Sequence, residues 1–385
     1  MNALKEKRIG IDARLFSYEA RGIGRYAYEL LKELASGNSS LKFVVFLNAK
    51  AYDSWDPKNS NIEKVKADVP FYGIEEQILF PRLLNSYNLD IMHFLHFNVP
   101  ILYRKPFIVT IHDLLLNRYP KSNASTRNRI TFFAKYFGYR AVLKSALKRA
   151  SFIIAVSNFT KRELLNLYSF VPESKIRVIY EGTSFIDSAN LFVAQSSQNR
   201  YILYVGAAYP HKNLLKTITT LAPYLQENSL TFKLVGREDY FYRRLKSFIK
   251  DKVYGKNIEF LGEVDDLMLK ELYKNAEFFI MPSLYEGFGL PPLEAMTLGC
   301  PVVARRSGSL PEILDNAALF YDSEENLIKA IDGVLKNNTI RNDLIHLGKE
   351  RVKFFSWKKM AEEIKILYNE CDANHGKNEK SKESG

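Results

Sequence analysis

Short apolar runs alternate with longer segments of helical periodicity along almost the whole chain. In the first half, the runs that predict buried strands span residues 8–12, 42–47, 90–94, 107–112, 152–157 and 175–180. In the second half they span residues 201–206, 231–236, 258–262, 278–282, 301–304 and 318–321. Between them, apolar positions recur at helical spacing and predict helices, for example over residues 26–34, 214–226 and 324–336. This alternation is typical of an α/β protein with parallel sheets covered by helices on both faces.

A polar stretch at about residues 184–200 interrupts the alternation and predicts two domains. We expect an N-terminal Rossmann-like domain of residues 1–185, a linker of residues 186–200 and a C-terminal Rossmann-like domain of residues 201–356. Residues 357–371 predict a last helix that packs back on the N-terminal domain, and residues 372–385 predict a disordered, charged tail. Two doubly wound domains in tandem are expected to face each other across a cleft, the favoured place for a ligand.

The composition fits this organisation. With 385 residues, 46% of them hydrophobic, the chain is long enough for two domains that each have a core. No stretch reaches the roughly 18 uninterrupted apolar residues of a membrane span, and the first eight residues are charged, unlike a signal peptide. We therefore expect a cytoplasmic protein. Cys300 and Cys371 are the only cysteines, too few for a disulfide framework or a thiolate metal site.

The positive charge is confined to the first half of the chain. Residues 1–185 hold 28 Lys and Arg against 16 Asp and Glu, whereas the remainder holds 27 of each. Between Asp113 and Glu163 there are eleven basic residues and no acid. The bases of this segment include Arg127, Arg129, Lys135, Arg140, Lys144, Lys148 and Arg149, and they surround an apolar stripe at helical spacing formed by Phe132, Tyr136, Tyr139, Leu143 and Leu147.

This segment predicts an amphipathic helix, and its role has two possible interpretations. It is either a core-facing helix with a solvated polar face, or an attachment to an anionic membrane surface or an anionic lipid-linked substrate. Nucleic acid is the least supported partner, because the chain has no zinc-finger spacing, no recognition-helix pattern and no stacking motif of single-strand binders.

The run Y-E-G-F-G-L-P-P-L-E-A-M, residues 285–296, sets Glu286 in a loop and Glu294 in the first turn of the helix that follows. Gly287 and Gly289 allow the backbone to approach a ligand closely, and the two prolines suit a helix start. The free N–H groups of a helix start bind an anion or a row of hydroxyls. The preceding apolar run predicts a strand, so this loop is expected at a strand's carboxyl end.

Three other places carry candidate chemistry. The turn Gly22-Ile23-Gly24 opens a helix and can bring N–H groups to an anion, although a purely structural turn fits equally well. His112 follows a buried strand and stands beside Asp113, which favours a binding role and a structural one about equally. Lys212 lies near the start of the next helix and can add positive charge for a diphosphate, the alternative being a surface lysine.

Several kinds of site are absent from the sequence. There is no Asp-x-Asp pair to hold a metal on a nucleotide sugar, and Asp265 with Asp266 fits the start of a helix over residues 263–273. There is no Gly-x-Ser-x-Gly and no phosphate loop ending in Gly-Lys-Ser/Thr. Hydrolase and nucleotide-hydrolase functions are therefore disfavoured.

The motif E-G-F-G-L-P-P-L-E-A-M, preceded by G-A-A-Y-P-H-K-N-L, resembles that of the retaining glycosyltransferases of family four, which have the GT-B fold. I-G-I-D-A-R, G-I-G-R-Y, T-I-H-D-L, V-S-N-F-T and F-S-W-K-K-M-A resemble further landmarks of that family in their expected order. The likeness runs essentially end to end. Within the family the chain looks most like the bacterial mannosyltransferases of surface-polysaccharide assembly.

The resemblance implies a role for each candidate. Glu294 would hold the ribose hydroxyls, Glu286 and nearby N–H groups the donor sugar, and Lys212 the departing diphosphate. His112 would contact an outer hydroxyl of the sugar. The donor-site residues implied in full are Gly22, Gly24, Gly206, His211, Arg237, Val264, Gly287, Phe288, Gly289, Leu290 and Glu294, and the acceptor or membrane side would comprise Arg127, Arg129, Lys135, Arg140, Lys144 and Lys148.

One position departs from the family pattern. Many relatives have an arginine directly after the glycine that corresponds to Gly206, and this chain has Ala207. The second cation for the diphosphate would then be His211 or Arg237, or Lys212 would act alone.

The activity implied is a metal-independent, retaining transfer of a hexosyl unit, such as mannose from GDP-mannose, to a lipid-linked glycan. The enzyme would work without a cofactor, as a monomer or homodimer, at the cytoplasmic face of the inner membrane. The alternatives are a glucosyl-, galactosyl- or rhamnosyltransferase that uses a UDP- or dTDP-sugar, and a non-catalytic nucleotide-sugar-binding subunit. A two-domain epimerase or dinucleotide enzyme shares the architecture, but the glycine fingerprint for a dinucleotide is incomplete.

Overall fold

The fold was taken from a computed structural model that describes residues 6–16, 22–37, 40–119, 129–185, 200–250 and 252–380. The described chain separates into two units. The first comprises the described residues within 1–116, 127–181 and 357–385, and the second those within 117–126 and 182–356. The units divide after Glu181, four residues before the predicted boundary. Most of the predicted linker, residues 186–199, lies outside the described residues.

The first half of the chain forms these elements in order: β1 (Arg8–Asp12), α1 (Ile23–Ser36), β2 (Lys42–Leu47), α2 (Ala49–Ser54), β3 (Ile62–Lys66), α3 (Ile74–Asn85), β4 (Ile91–Phe94), β5 (Phe107–Ile111), α4 (Leu115–Arg118), α5 (Arg129–Arg149), β6 (Phe152–Ala155), α6 (Asn158–Leu167) and β7 (Ile176–Val178). The second half continues with β8 (Tyr201–Val205), α7 (Leu214–Glu227), β9 (Thr231–Val235), α8 (Tyr240–Ile249), β10 (Ile258–Gly262), α9 (Asp266–Asn275), β11 (Phe278–Met281), α10 (Leu290–Thr297), β12 (Val302–Arg305), α11 (Leu310–Leu314), β13 (Ala318–Tyr321), α12 (Glu324–Lys336), α13 (Asn338–Val352) and α14 (Trp357–Lys380).

In the first unit, seven parallel strands form one sheet in the order β3-β2-β1-β4-β5-β6-β7. The apolar runs predicted its strands except β3. That strand has the sequence Ile-Glu-Lys-Val-Lys and lies at the sheet edge, where charged residues protect the exposed hydrogen-bonding groups. It therefore carries no apolar run. The chain order reverses between β1 and β4, which marks a topological switch point.

The last helix, α14, lies on the first unit, where it contacts α1. The hydroxyl of Tyr368 on α14 is 2.7 Å from Nδ1 of His93, a buried residue of β4, so the helix is joined to the sheet by a buried hydrogen bond. The helix continues to Lys380, nine residues past its predicted end at Cys371. Adding a polar residue to a formed helix costs little compared with nucleating one, so low apolar content did not end it. Residues 381–385 lie outside the described part.

The second unit has six parallel strands in the order β10-β9-β8-β11-β12-β13. Each predicted strand of this unit agrees with the structure to within one residue at either end. Its switch point lies between β8 and β11, with β12 next to β11. The loops after β8, β11 and β12 therefore begin at neighbouring strand ends, on the same edge of the sheet.

Candidate active site

The two glutamates of the 285–296 motif are placed by the loop after β11 and by α10. Gly289, at φ +113°, precedes Leu290, the first residue of α10, and this left-handed conformation requires glycine. Glu294 is the fifth residue of α10, so its predicted place in the first turn is wrong by one residue. Its side chain is buried and accepts a hydrogen bond of 3.1 Å from the hydroxyl of Tyr273 on α9. Tyr273 could not be predicted from the sequence, because its partner lies 21 positions away along the chain.

Lys212 and Glu286 form an ion pair in the second unit. Lys212 Nζ lies 2.6 Å from Oε1 of Glu286, and the two side chains are 17% and 12% exposed. The backbone joins the loops that carry them, because the N–H of Leu284 donates to the carbonyl of His211 at 2.7 Å. The cation after β8 and the carboxylate after β11 thus meet at the switch point of the sheet.

The loop after β12 supports the Glu286 loop from the side. Ser309 donates through its backbone N–H to the carbonyl of Glu286 at 3.1 Å and through Oγ to the carbonyl of Phe288 at 2.7 Å. Gly308, at φ +59°, packs so closely that a Cβ there would lie 2.7 Å from both the nitrogen and the oxygen of Glu286. The ring of Phe288 packs edge-on against Phe355, 5.6 Å between centroids. These contacts hold residues 286–288 in one conformation.

Close packing also shapes the loops after β8 and β9. The carbonyl of Gly206 accepts a hydrogen bond of 2.8 Å from the hydroxyl of Tyr242. A Cβ on Gly236 would lie 2.2 Å from that carbonyl oxygen, so glycine is required there. The carbonyl of Ala207 accepts from the hydroxyl of Tyr204 at 2.7 Å. Tyrosine hydroxyls therefore fix this loop.

The structure separates the two predicted substitutes for the missing arginine. Burial, together with the charge of Lys212, lowers the pKa of His211 to about 4. Near neutral pH the imidazole is uncharged, and the prediction of His211 as a second cation is disfavoured. Arg237, directly after Gly236, is exposed just beyond the carboxyl end of β9, so it remains the candidate for this role. Val264 is half-buried after β10, beside Asp265, whose Oδ1 caps α9 by accepting from Met268 N at 2.8 Å.

The first unit holds His112, which directly follows β5. Its Nδ1 lies 3.0 Å from Oε1 of Glu181, and its Nε2 lies 3.0 Å from the carbonyl oxygen of Leu95. The ring of Tyr26 packs edge-on against the imidazole, 4.7 Å between centroids. Both ring nitrogens are thus engaged, and a direct contact with a sugar requires the imidazole to give up one partner. Glu181 was missed, although it directly follows the predicted strand of residues 175–180 and so shares the strand-end edge with His112.

Gly22 and Gly24 lie at the start of α1. Gly22 has φ +65°, and its carbonyl accepts the N–H of Tyr26 at 2.9 Å as the helix begins. A Cβ on Gly22 would meet nothing within 4 Å, so glycine is needed there for its backbone conformation alone. Gly24 is buried within the first turn of the helix.

The predicted amphipathic helix is α5. Leu143 and Leu147 are fully buried, as a core-facing helix requires, while Arg140, Lys144 and Lys148 recur every four positions and are exposed. Lys135 is exposed as well. Arg127 and the side chain of Arg129 lie outside the described residues.

Arg149 differs from the other bases of this segment. Its guanidinium donates to the carbonyls of Tyr103 and Pro100, which joins the end of α5 to the loop before β5. It is a structural residue rather than part of a free cationic face.

Among the described residues, no group of three or more His, Cys, Asp and Glu side chains is arranged to hold a metal ion. Within the same residues, no helix has the length and apolar content needed to cross a membrane. Cys300 and Cys371 are both buried.

Comparison with known proteins was made by sequence and by fold. Residues 20–184 match the family model described as Glycosyltransferase Family 4, and residues 190–351 match that described as Glycosyl transferases group 1. The chain is 31% identical over 242 residues to the O-antigen chain mannosyltransferase RfbU of Salmonella typhimurium, a match that spans 63% of each protein. It is 28% identical to the O-antigen chain mannosyltransferase B of Escherichia coli, over 89% of this chain and 94% of that one.

Two solved structures illustrate the likeness in fold. The sucrose-phosphate synthase of Thermosynechococcus elongatus superposes with a TM-score of 0.74 at 20% identity, over 96% of this chain and 100% of the other. WaaG, a glycosyltransferase involved in lipopolysaccharide biosynthesis, gives a TM-score of 0.71 at 15% identity, over 94% of this chain and 99% of the other. The protein has two parallel sheets flanked by helices, and its structural neighbours share this architecture. The predicted α/β GT-B fold is therefore confirmed.

Proposed function

The chain belongs to the glycosyltransferases of family 4 and group 1, and from this premise we propose that it transfers mannose from GDP-mannose to a lipid-linked glycan during the synthesis of a cell-surface polysaccharide. The mannosyltransferase relatives support the sugar and the pathway class. The observation that supports the chemistry most directly is the Lys212–Glu286 pair at the switch point of the second unit, with Glu294 on the following helix.

The ion pair suggests how the donor enters. A diphosphate offers Lys212 two negative charges in place of one, so Lys212 turns from Glu286 to the phosphate oxygens. Glu286 is then free to accept hydrogen bonds from the hydroxyls of the sugar. Glu294, held by Tyr273, accepts from the ribose hydroxyls. The donor thus replaces one partly exposed electrostatic contact with several, which keeps both charges compensated.

The chemical step needs stabilisation of charge on the departing diphosphate. Lys212, Arg237 and the N-terminal end of α10 are the positive groups that this chain offers for it. In the front-face displacement that we propose, the bond from the anomeric carbon to the phosphate oxygen breaks. The acceptor oxygen bonds to that carbon on the same face, and its proton passes to the leaving phosphate. The step retains configuration and needs no metal.

In the first unit we assign His112 to the orientation of the reacting sugar. Glu181 and the Leu95 carbonyl fix its ring plane, and Tyr26 supports one face. Rotation of the imidazole away from Leu95 would present Nε2 to a sugar hydroxyl while Glu181 keeps hold of Nδ1.

We further propose that α5 binds the anionic cytoplasmic face of the inner membrane. Arg140, Lys144 and Lys148 present cations at one-turn spacing, and the exposed rings of Phe137 and Phe170, 64% and 39% accessible, provide apolar groups for the interface. Each cation near such a surface contributes about 1 kcal/mol. Reversal of all three charges to Glu should abolish binding to vesicles that contain anionic lipid, whereas reversal of the exposed Lys336, Lys353 and Lys359 should not. Equal binding by both triple variants would exclude this surface.

The donor proposal is tested with a panel of nucleotide-sugars and the purified protein, with and without EDTA. A bound donor at a hundred times its Kd stabilises the folded state by about 2.7 kcal/mol, which raises the melting temperature by several degrees. We expect GDP-mannose to give the largest shift, and turnover with a glycan acceptor to survive EDTA. A larger shift with a UDP- or dTDP-sugar would refute mannose, and no shift with any of them would refute the transferase.

Matched variants test the role of the ion pair. Lys212→Met should weaken nucleoside diphosphate binding between about tenfold and a hundredfold, since a charge-assisted contact contributes roughly 1.5–3 kcal/mol. Glu286→Gln should leave the diphosphate bound at least as tightly, because Lys212 loses its competing partner, but should remove the added affinity of the sugar. Lys216→Met and Glu324→Gln break a surface pair of the same 2.6 Å length and serve as controls. Equal effects of Lys212→Met and Lys216→Met on diphosphate affinity would count against the assignment.

A further inference from the structure

The loop between β3 and α3 in the first unit contains a strained and exposed aromatic residue. Tyr72 has φ +62°, a left-handed conformation that is rare for a bulky residue, and its side chain is 59% exposed. A backbone of this kind costs about 1–3 kcal/mol and persists only where the surroundings hold it. An exposed ring gains little from burial that would offset this cost, so a binding role is the physical explanation for the strained backbone.

A buried charged network holds Tyr72 in place. The carboxylate of Glu76 accepts from Tyr72 N at 2.7 Å, from Asn98 Nδ2 at 2.7 Å and from Arg14 Nη2 at 2.8 Å. Arg14 also donates to Asp12 at 2.8 Å and lies 3.5 Å above the ring of Phe80. The side chains of Arg14 and Glu76 are 1% and 0% exposed, so no ligand reaches them. The network therefore affects the surface only by fixing the backbone of Tyr72.

Two aromatic rings from the loop after β4 complete the surface. His96 lies 6.3 Å and Phe97 6.4 Å from the ring of Tyr72, and the two rings lie 4.0 Å from each other, all between centroids. Phe97 is supported from below by Tyr139 of α5, edge-on at 4.8 Å. Nδ1 of His96 is buried and has no hydrogen-bond partner among the described residues. Burial, aided by the nearby His112, lowers the pKa of His96 to about 3, so the ring is neutral near pH 7.

The aromatic surface adjoins the candidate catalytic histidine of the same unit. His112 Nε2 contacts the carbonyl of Leu95, the residue directly before His96. A ligand that covers Tyr72, His96 and Phe97 therefore extends towards His112. The three side chains carry no charge near neutral pH and combine apolar ring faces with a hydroxyl and an imidazole nitrogen.

We propose that Tyr72, His96 and Phe97 form a platform that binds the terminal hexose of the acceptor glycan, with the ring faces against the C–H groups of the sugar. This inference rests on the proposed function. A neutral platform fits an uncharged sugar better than an anionic lipid headgroup, for which cations are the usual partners. The strained Tyr72 backbone pre-organises the ring and so lowers the entropy lost on binding.

The test measures direct binding of hexose trisaccharides, namely mannotriose, maltotriose and cellotriose, to the full-length protein by saturation-transfer NMR titration. Wild type should bind at least one of them. Tyr72→Leu, which keeps apolar bulk but removes the ring, should weaken the Kd about tenfold or more, and Tyr72→Phe should change it less than threefold. Tyr240→Leu, at an exposed tyrosine of the second unit, should have no effect.

Tyr72→Asn is the second variant, because asparagine tolerates the left-handed conformation and removes the ring without added strain. Unchanged trisaccharide binding by a folded Tyr72→Leu or Tyr72→Asn, or no binding by wild type, would overturn the platform. So would a loss of binding to anionic vesicles without a loss of trisaccharide binding. The nucleotide-sugar panel separates the two proposals. Binding of trisaccharide without binding of any nucleotide-sugar would refute the proposed function but not the platform. Binding of a nucleotide-sugar without binding of trisaccharide would refute only the platform.

Discussion

Gly308→Ala should disable the donor site without touching any residue that contacts the donor. The Cβ would lie 2.7 Å from the nitrogen and oxygen of Glu286, where ordinary contact begins at 3.4 Å. Either the Glu286 loop or the Gly308 loop must therefore move by about 0.7 Å. The Lys212–Glu286 pair, 2.6 Å long, and the two hydrogen bonds from Ser309 depend on that spacing.

Two costs can be separated. A side chain at φ +59° adds about 1–2 kcal/mol of backbone strain, and the overlap adds about 1–3 kcal/mol more. At 2–4 °C for each kcal/mol, a total cost of about 2–5 kcal/mol should lower the melting temperature by about 4–20 °C. A displacement approaching 1 Å at a reacting group can cost on the order of a hundredfold in rate, so we expect kcat/KM to fall between tenfold and a hundredfold.

The assay follows release of the nucleoside diphosphate in the presence of acceptor, with a melting curve for each variant. Gly262→Ala is the matched control, because Gly262 has φ +72° and its Cβ would meet nothing within 4 Å. It should show the strain, a loss of about 1–2 kcal/mol, without the displacement of Glu286. If Gly308→Ala keeps a kcat/KM within threefold of Gly262→Ala, the loop after β12 does not set the position of Glu286.

Three further outcomes are expected. Tyr273→Phe removes the hydrogen bond to Glu294 and should weaken nucleotide-sugar binding about fivefold in a calorimetric titration. The control Tyr224→Phe removes a hydroxyl that bonds to Asp332 and should leave the affinity unchanged. Equal affinities of the two variants would contradict the positioning role of Tyr273. Burial lowers the pKa of His93 to about 3, whereas the ordinary value in the unfolded chain is about 6.5. Between about pH 3 and 6.5 the unfolded chain therefore binds one proton more than the native protein. The free energy of unfolding consequently decreases as the pH falls through this range. His93→Gln should reduce the slope of unfolding free energy in denaturant melts at pH 4–6 by about 1.4 kcal/mol per pH unit, and an unchanged slope would contradict this. Burial raises the pKa of Cys300 to about 12, so a thiol reagent should react with this side chain only after unfolding, and rapid native labelling would contradict it.

The apolar runs were sufficient to predict both sheets because parallel strands are buried on both faces and read as continuous hydrophobic segments. β11, with the sequence Phe-Phe-Ile-Met, shows this clearly. β3 was missed because an edge strand alternates charged and apolar residues. The end of α14 was placed too early, since a low apolar content does not by itself end a helix.

The site could be predicted where residues are close in sequence and could not where they meet only in space. Glu286 and Glu294 belong to one motif, and Lys212 follows a strand end, so their shared edge of the sheet was predictable. Glu181 lies 69 positions after His112, and Tyr273 lies 21 positions before Glu294, and neither pairing leaves a local pattern. The left-handed backbone of Tyr72 was equally invisible, because the groups that hold it, Glu76 and Arg14, are distant from one another along the chain.

Each sheet has an ion pair at its switch point, and burial decides what each pair can do. Arg14 and Glu76 are almost inaccessible, and hydrogen bonds from Asn98 and from the Tyr72 backbone satisfy the remaining carboxylate oxygen, so exchange of a partner would leave a buried charge uncompensated. That pair can only fix the backbone. Lys212 and Glu286 are partly exposed, so an incoming anion can take the place of the carboxylate at modest cost. The sequence shows a basic residue and a glutamate in both places, and it is the packing around them that separates a structural pair from one that exchanges with a ligand.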